Sequence, residues 1–255
     1  MKPARIQKTF AQPHSWQQLK NAQWAFDSIQ SRLDEWCPKL FGYHMLKLGG
    51  LSCELETSHC NIKHQVHLDI TNPRHTIIAD AFDLPFIEKS IDTALVCHQL
   101  DYCSDPHRLL REVDRIIIDD GYIILTGFNS ISLTGLARWY PWRKNNLPWS
   151  GRMFSPYRIK DWLGVLNYEV IYSDCSGLFP SKKGEKPFSI WLEHSLGRCA
   201  STFGGMYFIV ARKRTCPLKP LKPHWELKRR LAPASVGFNK NASSKASCNN
   251  QNRLK

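Results

Sequence analysis

The chain has 255 residues, of which 42% are hydrophobic and 22% charged, with a formal net charge of +13 at pH 7. This is ordinary globular composition, sufficient for one sizeable core. The longest pure apolar runs, at 116–118 and 207–211, fall far short of the ~18 residues that span a bilayer, and the basic start Met1-Lys2-Pro3-Ala4-Arg5 leads into glutamines instead of an apolar signal core, so a cytoplasmic protein is expected.

Residues 15–37 set Trp16, Leu19, Trp24, Ile29, Leu33 and Trp36 among Gln, Lys and Asp, a helical rhythm behind a Ser15 cap. Segment 1–40 is therefore read as one or two N-terminal helices. A strand at 43–48 runs into Gly49-Gly50, and the following stretch, 51–58, reads equally as a short helix or an extended segment. Strands are expected at 65–70, 76–79, 91–97 and 121–126, with helices at 106–117 and 131–139. The series ends with a helix at 156–166 and strands at 168–173 and 205–212. Such alternation argues for an α/β protein whose sheet is covered by helices on both faces.

Helix 106–117 can be justified residue by residue. Asp105 accepts from the first free amides, Pro106 sits where no amide hydrogen is needed, and Leu109, Leu110, Val113 and Ile117 form one apolar stripe. Asp119-Asp120-Gly121 is expected to turn the chain, with Gly121 able to take positive φ, before the buried strand "YIILTG".

The charge is unevenly spread. Residues 211–255 hold 12 of the 35 basic residues and one of the 22 acidic ones, a net of +11, which leaves +2 for residues 1–210. The stretch 217–255 is rich in Pro, Lys, Asn and Ser and is expected to be a disordered basic tail, either solubilising or attracted to RNA or an anionic membrane surface in a salt-sensitive way. The main domain is then 41–216. Nine scattered cysteines never form a C-x-x-C pair, and His59, His64 and His67 lack partners at ligand spacing. Neither a disulfide framework nor a metal site is expected.

One stretch carries more than composition. Residues 78–129 contain D-A-x-x-L-P-F from Asp80, S-x-D leading into an apolar strand from Ser90, H-x-L-D-Y from His98, D-P-x-x-x-L-x-E from Asp105, and Gly121 before the next strand. In this order the motifs resemble the class I S-adenosylmethionine-dependent methyltransferases, specifically the type 11 family. The resemblance implies a Rossmann-like sheet of seven strands in the order 3-2-1-4-5-7-6, with ligand outside the carboxyl ends of the strands at the switch point. It also places Gly49, Gly50, Asp69, Asp80, Ala81, Cys97 and His98 around S-adenosylmethionine. Asp69 suits the ribose hydroxyls and Asp80 the adenine amine; each could instead serve its local turn.

The glycine loop departs from the family pattern. Acid-x-Gly-x-Gly-x-Gly appears here as Lys47, Leu48, Gly49, Gly50, Leu51, Ser52 and Cys53. Leucine at the second glycine place does not readily take positive φ, and Lys47 would repel the cofactor's amino group while offering a partner to its carboxylate. Methyl transfer depends largely on alignment and requires a base only for some acceptors, so no catalytic residue is assigned. His98 is either a base, part of the cofactor wall or a packing residue. The aromatic segment 137–149 lines an acceptor pocket or packs beneath a long connection. A small-molecule methyltransferase is the leading expectation, with nucleic acid second as acceptor. The alternative is an inactive methyltransferase-like scaffold using its basic tail on RNA or a membrane. Neither the N-P-P-Y pattern of amine methylation nor the hydrolase elbow G-x-S-x-G is present.

Overall fold

A computed structural model describes residues 12–19, 23–69, 77–136, 147, 150–176 and 204–214. The predicted basic tail and nearly all of segment 137–149 lie outside these residues. Twelve longer elements follow in chain order: α1 (Gln23–Trp36), β1 (His44–Leu48), α2 (Gly50–Cys53), β2 (His64–Leu68), β3 (Ile91–Cys97), α3 (Gln99–Tyr102), α4 (Pro106–Ile116), β4 (Ile117–Phe128), α5 (Leu133–Leu136), α6 (Pro156–Val165), β5 (Tyr168–Ser176) and β6 (Met206–Lys213). No described helix is long and apolar enough to cross a membrane.

The strands form one sheet in the order β2-β1-β3-β4-β6-β5. The first four run parallel, and β6 is antiparallel to both β4 and β5. This is the expected order with its outermost strand missing. The predicted strand 76–79 is represented by a single parallel bridge between Leu68 and Ile77, so six strands replace the expected seven among the described residues. From β1 the chain crosses outward to β2 and returns to the other side of β1 as β3. That reversal opens a crevice at the carboxyl ends of β1 and β3.

Strand pleating divides the core in two. Leu46, Leu48, Ala94, Val96, Ile123, Leu125, Ile209 and Ala211 face α4 and α6, which contribute Leu109, Leu110, Val113, Ile159 and Leu163. The intervening Met45, Leu95, Cys97, Ile124, Phe208 and Val210 face α1, which contributes Ala25, Ile29 and Leu33. Side chains alternate across each strand, and burial on both sides explains the near-continuous apolar runs of β3 and β4.

Asp105 caps α4 as expected, its Oδ1 accepting from the His107 and Arg108 amides at 3.1 Å each. The end of that helix differs from the sequence reading. Ile117 leaves the helix and pairs directly with Ile91, so Asp119-Asp120-Gly121 lies inside β4 at a register shift. Asp120, not Gly121, takes the positive φ, 66°. Gly121 is required by proximity: a Cβ there would stand 2.6 Å from Ile117 Cγ2 and 2.8 Å from the Asp92 carbonyl. On the outer side of α4, Glu112 accepts from the Leu84 amide, and Arg115 donates to the carbonyls of Leu84 and Phe86. These bonds pin the loop that follows Asp80 to the helix.

Candidate functional site

The turn after β1 supplies the frame. Gly49 takes φ 88° and ψ 153°, a conformation that side chains disfavour, and its amide donates to the Leu68 carbonyl at 2.8 Å. The ambiguous segment 51–58 resolves into the short helix α2 followed by turns. Ser52, whose role the sequence reading missed, ties the crevice together: its hydroxyl donates to the Leu48 carbonyl at 2.6 Å and accepts the Cys97 amide at 2.8 Å. The available signal was a hydroxyl four residues beyond Leu48, the spacing at which serine bonds back along a helix.

Lys47 and Leu51 do not plug the crevice. Leu51 packs in the α1-side cluster. Lys47 is buried, and its Nζ donates to the Leu55 carbonyl at 2.9 Å. Burial lowers its pKa below the ordinary lysine value, with nearby thiols and Glu56 pulling the other way. Its charge is therefore committed within the protein, not presented to a ligand as the sequence suggested.

The two predicted carboxylates have different fates. Asp69, directly after β2, is 1% exposed; its amide donates to the Ile77 carbonyl, and its Oδ2 lies 3.7 Å from His14 Nδ1. Asp80 is exposed and heads a turn, with Oδ1 accepting the Phe82 amide at 3.0 Å and its carbonyl accepting the Asp83 amide. Ala81 is buried behind it in the α4-side core. The structure thus gathers Gly49, Gly50, Asp69, Cys97 and His98 at the carboxyl edge of β1, β2 and β3. Asp80 and Ala81 stand in the turn beyond the Ile77 bridge.

At the tip of β3, Cys97 is buried and accepts from Thr126 Oγ1 at 3.0 Å. Burial raises its pKa, which keeps it a neutral thiol and not a nucleophile. His98, fully buried with φ 54°, places Nδ1 3.0 Å from Asp101 Oδ2. The same carboxylate oxygen accepts the Phe128 amide at 2.9 Å. Burial raises the Asp101 pKa above the usual carboxylate range, opposed by His98 and the Phe128 amide. A proton on Nδ1 donated to Asp101 leaves Nε2 as an acceptor, and among the described residues Nε2 is buried without a hydrogen-bond partner. The ring lies between Phe128 at 4.2 Å and the edge of Trp16 at 5.6 Å. Asp101 was not singled out in the sequence, although the i,i+3 spacing in "HQLD" could have revealed the pair.

The segment 12–19, assigned by sequence to a separate helical region, belongs to this site. Ser15 caps a single 3-10 turn, Trp16–Gln18. Trp16 Nε1 donates to the Leu51 carbonyl and the Trp16 amide to Glu54 Oε2, both at 3.0 Å. Gln12 Nε2 donates to Gln99 Oε1 at 2.5 Å. A Cβ on Gly49 would overlap that same Gln99 oxygen, and a Cβ on Gly50 would overlap the His14 carbonyl.

Parallel strands around a switch point, a glycine turn after the first and a buried acid after the second define a Rossmann-like nucleotide-binding fold. A family model for the methyltransferase domain matches residues 47–125. The uncharacterised protein YafS of Escherichia coli (strain K12) is 38% identical over 227 residues, covering 87% of this chain and 90% of that protein. The chain therefore belongs to the methyltransferase domain family of S-adenosylmethionine-dependent enzymes. Among solved structures, a SAM-dependent methyltransferase from Thermotoga maritima matches with a TM-score of 0.54 at 20% identity, covering 76% of this chain and 92% of its own. The [4+2]-cyclase SpnF matches at 0.52 and 17% identity, covering 76% and 82%. These two likenesses concern fold, and the cyclase illustrates that one fold hosts several chemistries.

Proposed function

We propose that this enzyme methylates a small molecule, with the adenosyl group of S-adenosylmethionine held against the Gly49-Gly50 turn and its ribose hydroxyls on Asp69. The observation that carries this reading is the positive-φ turn at Gly49, hydrogen-bonded to Leu68, which sets a side-chain-free stretch of backbone beside a buried carboxylate. A carboxylate accepts from two neighbouring hydroxyls without distortion. The bound cofactor supplies a methyl group on a positively charged sulfur. The chain's own contribution is orientation and water exclusion, with the buried His98–Asp101 pair available to take a proton from an acceptor that carries one.

Support for a small acceptor comes from where polarity and charge lie. His98 and Asp101 are almost fully buried, a depth better matched to a compact molecule than to a polymer. The basic excess falls in residues 211–255, while residues 1–210 are nearly neutral. The scaffold reading draws on one specific observation, the Lys47–Leu55 bond standing where the family has an acid. Calorimetry with S-adenosylmethionine separates the two. The methyltransferase reading expects heat of binding below millimolar ligand, weakened about tenfold or more in Asp69→Asn as a charge-assisted hydrogen bond is lost. Absence of heat at millimolar ligand contradicts it and leaves the scaffold.

A further inference from the structure

We infer that residues 12–19 form a self-docked strap that occupies the cofactor's place on the Gly49-Gly50 turn and must lift before S-adenosylmethionine binds. This inference rests on the cofactor site proposed above and adds a gate to it.

Three contacts carry it. Gly50 lacks a side chain, yet its open face is filled by the main chain of His14: a Cβ there would overlap the His14 carbonyl and stand 2.9 Å from the His14 Cα. Without a side chain, Gly50 leaves its backbone open to close approach; here the protein's own backbone makes that approach. Over Gly49 lies the Gln99 amide, hydrogen-bonded to Gln12. At the third point, His14 Nδ1 stands 3.7 Å from Asp69 Oδ2, on the acceptor proposed for the ribose. One short segment thus stands against Gly50 and Asp69 directly and against Gly49 together with Gln99.

The fastening suits a gate. Trp16 and Leu19 are the deep anchors, 7% and 4% exposed, and Trp16 is bonded through Nε1 to the Leu51 carbonyl. The Trp16 amide is held by the exposed Glu54, and Gln17 and Gln18 face outward. Water can replace the rim contacts at little net loss, because an exposed hydrogen bond exchanges one partner for another. Trp16 also stands edge-on to His98. Lifting the strap would therefore uncover the cofactor place and the His98 ring together, coupling cofactor access to acceptor access.

The strap lowers apparent affinity by the fraction of molecules in which it is open. Binding of S-adenosylmethionine and S-adenosylhomocysteine should therefore be compared in the full-length protein, Trp16→Ala and Glu54→Ala, with circular dichroism melting as a control for folding. Both variants are expected to bind more tightly than wild type, Trp16→Ala by about tenfold as the open fraction approaches one, and Glu54→Ala by less. Hydrogen exchange on the wild-type protein needs no variant: saturating S-adenosylhomocysteine should speed exchange in residues 12–19. Weaker binding by folded variants, together with slower exchange in 12–19, would make the strap a wall of the filled site and overturn the gate while leaving the cofactor site intact. Absence of binding by all three proteins would overturn both.

Discussion

Residues 44–69 and residues 77–129 contribute to the same crevice by opposite routes. The second region matches family motifs almost letter by letter, yet two of its conspicuous carboxylates are spent locally. Asp80 bonds the Phe82 amide, and Asp105 bonds the first amides of α4. The first region departs from the family pattern at Lys47, Leu51 and Cys53 and still builds the turn, through the backbone of Gly49 and the hydroxyl of Ser52. Motif letters identify a fold, whereas the site depends on which atoms remain available after local structure has used the rest.

The largest effect is expected at Asp101, the most deeply buried carboxylate of the motif region. Asp101 Oδ2 serves both His98 Nδ1 and the Phe128 amide, and leaving buried donors unsatisfied costs about 1–3 kcal/mol each, so Asp101→Ala is expected to lose about 3 kcal/mol in urea unfolding. A loss below about 1 kcal/mol would mean that His98 and the Phe128 amide find other partners. Ser52→Ala probes the other region. It leaves the Cys97 amide buried without its acceptor, and a loss of about 2 kcal/mol is expected. A neutral result would show that Gly49 alone shapes the turn.

The smallest effect concerns the clamp on the loop after Asp80. The hydrogen bond from Arg115 holds the Glu112 carboxyl below the ordinary glutamate range, with the Leu84 amide assisting and burial opposing. Because the folded pKa is depressed, the contribution is complete above the unfolded value and disappears as pH falls through the folded one. Wild type should exceed Glu112→Gln by less than about 1 kcal/mol at neutral pH, and the gap should close in acid below the usual glutamate range. A gap independent of pH would detach this ion pair from the loop's stability.

Much of the fold was legible because the alternation of periods is a local signal. The strand 91–97 and the Asp105 cap follow from spacing and end residues, whereas the antiparallel final pair followed from the family resemblance alone. The Asp119–Gly121 stretch was misread because its letters suit a turn, while pairing of Ile117 with Ile91 draws the strand backward into it. The bridge at Ile77 could not be told from a full strand, since apolar letters do not reveal how many ladder bonds form. At the crevice, the turn at Gly49 and the place of Asp69 after β2 were legible from spacing. The engagement of Gly50 by His14 and of Gln99 by Gln12 joins residues 36 and 87 positions apart, and no periodicity carries such contacts.

The proposed function requires the crevice between β1 and β3 to hold the cofactor with its ribose on Asp69. A crystal structure with S-adenosylhomocysteine tests it most directly. Adenosine is expected against Gly49 and Gly50, with both ribose hydroxyls on Asp69 and residues 12–19 moved from the turn. Ligand bound elsewhere, or bound with Asp69 making no contact to it, would rule out this cofactor site.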